Sequence, residues 1–276
     1  MYVAILNKGL VLKMMAKKLT ILAVAAHPDD IEYSAGGTVA KYAKAGHKVV
    51  ILNFTRGGMG TMRYTEEELK KIRTQEGMEG GKILGASEVR YMDPDKYEDG
   101  RFCYPTQQAV EDLVEVIREV KPDIMLGQHF LEVCPMDRAV GRIMCDAYTL
   151  CALPNLKTKH PWHSVTDVWM FGDIHRYSEM TPWGLQHLVY IDITDTIDIK
   201  IKAFLAHKSQ IQWALEHKGY DAGMLDPSEE IRAQARALGY LCGRRYAEAF
   251  VPLRPKGMDW FPYYEVEKSP SPFDTQ

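Results

Sequence analysis

The chain has 276 residues, 46% of them hydrophobic and 26% charged, which is enough apolar content to bury a core and excludes a fibrous or wholly disordered protein. A formal charge of -3 without a long basic run removes any global pull toward nucleic acid or an anionic membrane, so a small-molecule partner is expected. Five cysteines (Cys103, Cys134, Cys145, Cys151 and Cys242) are odd in number and lack paired spacing, as in a reducing, cytoplasmic protein.

Residues 1–16 read as an N-terminal extension, and 17–276 as one domain. Lys17-Lys18 followed by the apolar run 19–26 imitates a short signal peptide. Cleavage there would remove a strand whose end carries the densest chemistry in the chain, so we read the run as a core strand. No apolar run reaches the roughly 20 residues needed to cross a bilayer. A helix over 36–46, a strand over 49–54 and a helix over 66–84 follow, the last opened by Glu66-Glu67-Glu68, whose charges suit the positive end of a helix dipole. Next come a strand over 89–92, an amphipathic helix over 107–120 and a strand over 124–127. Strands alternating with helices predict right-handed crossovers and an α/β fold: a Rossmann-like, mostly parallel sheet with flanking helices. The second half is less regular. A strand is expected over 188–194 and one long helix over 198–219 carrying His207-Lys208-Ser209-Gln210, while proline and aromatic residues over 252–264 predict an irregular C-terminal part.

Ligands of such sheets sit outside the carboxyl ends of the strands, so the loops after each strand hold the candidates. They are His27-Pro28-Asp29-Asp30, Thr55-Arg56-Gly57-Gly58, residues 93–99 and residues 128–137. Capping the next helix needs one acid. One histidine and two aspartates within four residues, stiffened by Pro28, point instead to metal binding or proton transfer. Gly57-Gly58-Met59-Gly60 lacks the Lys-Ser/Thr of a phosphate loop and reads as a pocket rim. Trp162, Trp169, Trp183 and Tyr177 are expected in the core rather than as a sugar-stacking platform.

Ala26-His27-Pro28-Asp29-Asp30, followed by Gly36-Gly37-Thr38, resembles the LmbE-like or PIG-L family of zinc-dependent N-acetyl-sugar deacetylases. The likeness extends to Gly58-Met59-Gly60-Thr61, Arg73, Glu76, Leu84-Gly85, Arg138-Ala139-Val140-Gly141 and the stretch from Asp192 to Gln210, where it is similar to the diacetylchitobiose deacetylase branch. It implies that His27 and Asp30 are metal ligands, that Asp29 is the general base, that Arg73 supports the site and that Asp99-Gly100 is an Asp-Gly loop facing substrate. It also implies a functional His207, helping to complete a neighbouring subunit's site in a trimer or hexamer. A solvated arginine on a helix face is the bland alternative for Arg73.

The likeness breaks at Cys134-Pro135-Met136-Asp137. Aligned on Arg138-Ala139-Val140-Gly141, the third ligand becomes Asp137, and Cys134 stands where a histidine steadies the tetrahedral intermediate. Asp137 could instead cap the helix, and His129 on the same loop could supply the third ligand. Either His129 or His207 could then stabilise an oxyanion. The implied cofactor is a divalent metal, zinc first, with Mn²⁺ or Fe²⁺ favoured by a second carboxylate. The implied activity is removal of an N-acyl group, acetyl foremost, from an amino sugar. A hydratase of a small unsaturated acid and a non-catalytic binding protein are the rivals.

Overall fold

The computed structural model describes residues 18–172, 188–216 and 226–253. In chain order the elements are β1 (Thr20–Ala25), α1 (Asp30–Lys44), β2 (Lys48–Asn53), α2 (Glu66–Leu84), β3 (Glu88–Tyr91), α3 (Gln107–Val120), β4 (Ile124–Gln128), α4 (Pro135–Leu150), β5 (Asp167–Phe171), β6 (Val189–Asp192), α5 (Ile197–Phe204), α6 (Lys208–Glu216), α7 (Pro227–Cys242) and β7 (Ala247–Pro252). The strand order is β3-β2-β1-β4-β5-β7-β6. Strands β1 to β5 pair in parallel, and β7 pairs antiparallel with both β5 and β6. The chain thus winds outward from β1 to β3, then crosses to β4, which makes β1/β4 the switch point where the crevice for ligands opens.

Strand β1 is an unbroken apolar run because helices cover both faces of the sheet. Its side chains alternate between two cores. Leu22 and Val24 pack with Leu113 and Ile117 of α3 and Val140 and Ile143 of α4. Ile21, Ala23 and Ala25 pack on the other face with Ile31 and Val39 of α1 and Ala203 of α5. A buried ion pair joins the antiparallel end of the sheet to these helices: Lys200 Nζ donates to Glu248 Oε1 at 2.6 Å, and the same carboxylate accepts the Gly37 and Thr38 N–H groups at 2.9 and 2.7 Å.

The first α/β units form as the sequence predicts, and α2 opens on a capping box between Thr65 and Glu68 that places the acidic run in its first turn. Three expectations need correction. The helix predicted over 36–46 begins at Asp30, because Gly36 and Gly37 lie inside it; a Cβ on Gly37 would come within 2.8 Å of Ile193, so the glycine serves close packing and not a start. The single helix predicted over 198–219 is two, α5 and α6. They break at Leu205 to His207, where the Ser209 N–H is taken by Glu76 of α2 at 2.8 Å and starts a new helix. Trp169 is buried, but Trp162 is 55% exposed on the surface connection between α4 and β5, outside the core expected for it. Residues 1–16, Tyr177, Trp183, residues 217–219 and the C-terminal stretch from 254 lie outside the described residues. Among the described residues no helix is long and apolar enough to cross a membrane.

Candidate metal centre

Asp29 occupies the N-cap position of α1, yet its side chain caps nothing. Its backbone sits at φ 116°, in a region that costs a residue with a Cβ about 1–3 kcal/mol and is tolerated where the surroundings dictate it. The surroundings here are Arg73. This side chain of α2 is 4% exposed; its Nη2 lies 3.0 Å from Asp29 Oδ2 and donates to the Pro28 carbonyl at 2.5 Å. Gly57 makes room for it: at φ 65°, a Cβ there would stand 2.2 Å from Arg73 Nη1. The guanidinium is therefore a buried strut of the His-Pro-Asp-Asp turn and not a solvated helix-face group.

Asp30 is held from the neighbouring strand. Its Oδ2 accepts the His27 N–H at 2.8 Å and Gln128 Nε2 at 2.6 Å, while Gln128 Oε1 accepts the Ala26 N–H at 2.8 Å. Gln128 so bridges the ends of β1 and β4, a role that a lone amide closing a buried apolar strand could have signalled. Asp137 lies in the first turn of α4, where Pro135 follows the N-cap Cys134, which makes no side-chain cap. Asp137 Oδ1 is 3.1 Å from His27 Nδ1, and among the described residues this buried oxygen completes no hydrogen bond. On the far edge of the ring, Nε2 lies 3.3 Å from Asp99 Oδ1, and Asp99 Oδ2 accepts the Met59 N–H at 2.8 Å.

Three carboxylates are thus packed around one imidazole. Burial alone would lower the His27 pKa, but Asp137, Asp30 and Asp99 outweigh it and hold the ring well above its ordinary value. Burial and repulsion from Asp30 push Asp137 up. Asp99, buried but paired with His27, falls to about 2. Burial raises Asp29 to about 6 against the opposing pull of Arg73. Such a surplus of carboxylates calls for a cation. Donor atoms of His27, Asp30 and Asp137 all lie within 4.8 Å of one another, and among the described residues the buried Asp137 Oδ1 completes no hydrogen bond, so one imidazole and two carboxylates fit a divalent ion. The contact between His27 and Asp99 is the carboxylate support that commonly orients a ligating imidazole.

The remaining candidates are not among the three donors. His129 is buried, accepts the Leu131 N–H at 3.1 Å through Nδ1 and stacks on Phe130; burial lowers it to about 4, and the three-donor group does not include it. Cys134 is half-buried beside Asp137, its thiol raised by burial and then by that carboxylate. His207 is fully buried, with Nε2 3.6 Å from Glu32 Oε2. Within the single chain its ion-pair partner is this carboxylate. Glu32, 3% exposed in the first turn of α1, is the buried partner that the sequence reading did not single out.

Fold and donors together define a Rossmann-like α/β protein with a candidate divalent-cation centre at its switch point. Residues 22–148 match the profile of the PIG-L family, described as GlcNAc-PI de-N-acetylase. Diacetylchitobiose deacetylase of Thermococcus kodakarensis is 29% identical over 247 residues, covering 84% of this chain and 83% of that protein. N,N'-diacetylchitobiose deacetylase from Pyrococcus horikoshii superposes with a TM-score of 0.71 at 23% identity, over 89% of each chain. The 4-carboxy-2-hydroxymuconate hydratase from Pseudomonas putida shares the fold at a TM-score of 0.67 and 20% identity, over 88% of this chain and 99% of that one. The chain is thus similar to the PIG-L family over residues 22–148 and to diacetylchitobiose deacetylase over most of its length.

Proposed function

We propose that this chain is a metal-dependent N-deacetylase that removes an acetyl group from an N-acetylated amino sugar. The observation that carries the reading is Asp29: a carboxylate excused from capping, held in a strained backbone by Arg73, beside a three-donor cation pocket. The deacetylase names of the relatives support it. A divalent cation held by His27, Asp30 and Asp137 would supply Lewis acidity toward the acyl carbonyl and toward water. Asp29, as general base, takes the proton of the attacking water and returns one to the departing amine nitrogen. Arg73 keeps the Asp29 carboxylate in place, and Asp99 fixes the ring plane of His27. Cys134, beside Asp137, lines the substrate side of the site, as do His129 and the Met59 to Asp99 rim.

Zinc is the ion we assign first; the second carboxylate favours Mn²⁺ or Fe²⁺ more than a two-histidine site would. The same reading takes 17–276 as one catalytic domain, cytoplasmic, assembled as a trimer or hexamer and acting on a small molecule without nucleic acid or membrane partners.

The changed segment from Cys134 to Asp137 gives the hydratase reading its specific support, since it lacks histidines suited to amide cleavage. Product analysis separates the two. Metal-loaded protein given N-acetylated mono- and disaccharides should yield acetate and a free amine in equal amounts. A single product heavier by one water, from an unsaturated acid, would put the hydratase in its place.

A further inference from the structure

The segment from His207 to Gln210 starts α6, yet it touches all three elements that shape the candidate site. His207 turns inward against Glu32 of α1, one turn after Asp29. Gly80 of α2 leaves the gap for this contact, since a Cβ there would stand 2.6 Å from Glu32 Oε1 and 2.9 Å from His207 Nε2. Ser209 is seized from both its backbone and side chain by Glu76 of α2, at 2.8 and 2.6 Å. Glu76 is one turn beyond Arg73, so the carboxylate that fixes α6 rides on the helix that fixes Asp29. Gln210 Nε2 donates to the Gly60 carbonyl of the rim loop at 3.1 Å, and Gly60 is packed so tightly that a Cβ would come within 2.8 Å of Gln210 Oε1. Farther along α6, Glu216 pairs with Arg63 of the same loop, Arg63 Nε donating at 3.1 Å.

We propose that residues 207–210 form a positioning clamp, which locks the helix of Asp29, the helix of Arg73 and the rim loop 57–63 in one relative placement without touching substrate. The inference rests on the deacetylase reading for its catalytic consequence only. The break between α5 and α6 is what makes the clamp possible. It turns His207 into the core, and it frees the Ser209 N–H, as the first amides of any helix are free, for the Glu76 carboxylate. The three attachments have separable effects. Gln210 governs the rim, where substrate is gripped; Ser209 and His207 govern the helices that aim Asp29 and Arg73.

Three variants test it: Gln210→Ala, Ser209→Ala and Ser209→Thr, each loaded with Zn²⁺ and assayed well below its melting temperature. Gln210→Ala should raise KM about fivefold or more with kcat within about twofold, and backbone amides of 56–64 should exchange with deuterium about tenfold faster while those of β1 do not change. Ser209→Ala should lower kcat about tenfold, in line with the cost of a small misplacement of catalytic groups, and Ser209→Thr, which keeps the hydroxyl, should restore it. A merely structural segment would lower the melting temperature of all variants without splitting KM from kcat and without rescue by threonine. Unchanged exchange over 56–64 in Gln210→Ala would overturn the clamp. Faster exchange there in a protein that releases acetate from no N-acetyl sugar would uphold the clamp and defeat the deacetylase reading instead.

Discussion

Asp29 Oδ2 and Arg73 Nη2 stand 3.0 Å apart, and the same guanidinium nitrogen holds the carbonyl of Pro28, so one buried arginine fixes both the backbone and the side chain of the candidate base. Gly57 determines whether the arginine fits. In Gly57→Ala the new methyl would fall on Nη1 at a φ of 65° that alanine resists. The variant should lose about 1–3 kcal/mol of stability by chemical denaturation and at least about tenfold in kcat, with metal content kept. Full activity in a folded Gly57→Ala protein would show that the position of Arg73 does not matter.

Asp137 is the point where this chain departs from the PIG-L pattern, and the proposed function makes it a metal ligand, its Oδ1 3.1 Å from His27 Nδ1. Asp137→Ala should weaken zinc binding about tenfold or more, measured by competition with a chromogenic chelator. Asp137→His should restore binding and shift preference from Mn²⁺ toward Zn²⁺, since imidazole is the softer donor. Undiminished zinc affinity in Asp137→Ala would return the residue to a local structural role in α4.

His129 gives a pH signature that is independent of catalysis. Burial lowers its folded pKa to about 4, below the ordinary 6.5, so the unfolded chain binds the extra proton between these values. The stability that depends on the neutral ring is complete above pH 6.5 and is lost as pH falls toward 4, by on the order of 3 kcal/mol in all. Denaturant unfolding at pH 7 and pH 5 should show this loss in the wild type and a shallower one in His129→Gln. Equal slopes would mean that the ring is not kept neutral by burial.

Glu248 tests the scaffold. Removing it in Glu248→Ala strands the buried Lys200 ammonium and the Gly37 and Thr38 amides, at a cost of about 3–5 kcal/mol. Thermal melting should fall sharply while kcat per folded molecule stays near wild type. A small effect on melting would mean that water replaces the carboxylate readily.

The elements from β1 to β4 were legible because local periodicity and loop chemistry agree there: β1 is apolar after Thr20, and α3 has a clear amphipathic face. The loops at the carboxyl ends followed from that topology, and with them His27, Asp30, Asp99 and Asp137. Strands β5 and β7 and helix α7 were not legible. Asp167-Val168-Trp169-Met170-Phe171 and Ala247-Glu248-Ala249-Phe250-Val251-Pro252 are short runs whose assignment depends on pairing with each other, far apart in sequence. Glu248 even places a charge inside a strand, which makes sense only once Lys200 is beside it. The division of α5 from α6 was hidden for the same reason, since its cause, Glu76, lies 133 residues away from Ser209.

The most direct measurement pairs metal content with acetate release in the wild type and in Asp29→Asn. Both should bind one divalent ion per chain, by elemental analysis after loading, while only the wild type releases acetate from an N-acetylated amino sugar, the variant falling by about 10²–10⁴. Metal-loaded Asp29→Asn turning over at the wild-type rate, or full wild-type turnover after chelation has removed every ion, would contradict a metal-assisted reaction with Asp29 as its base.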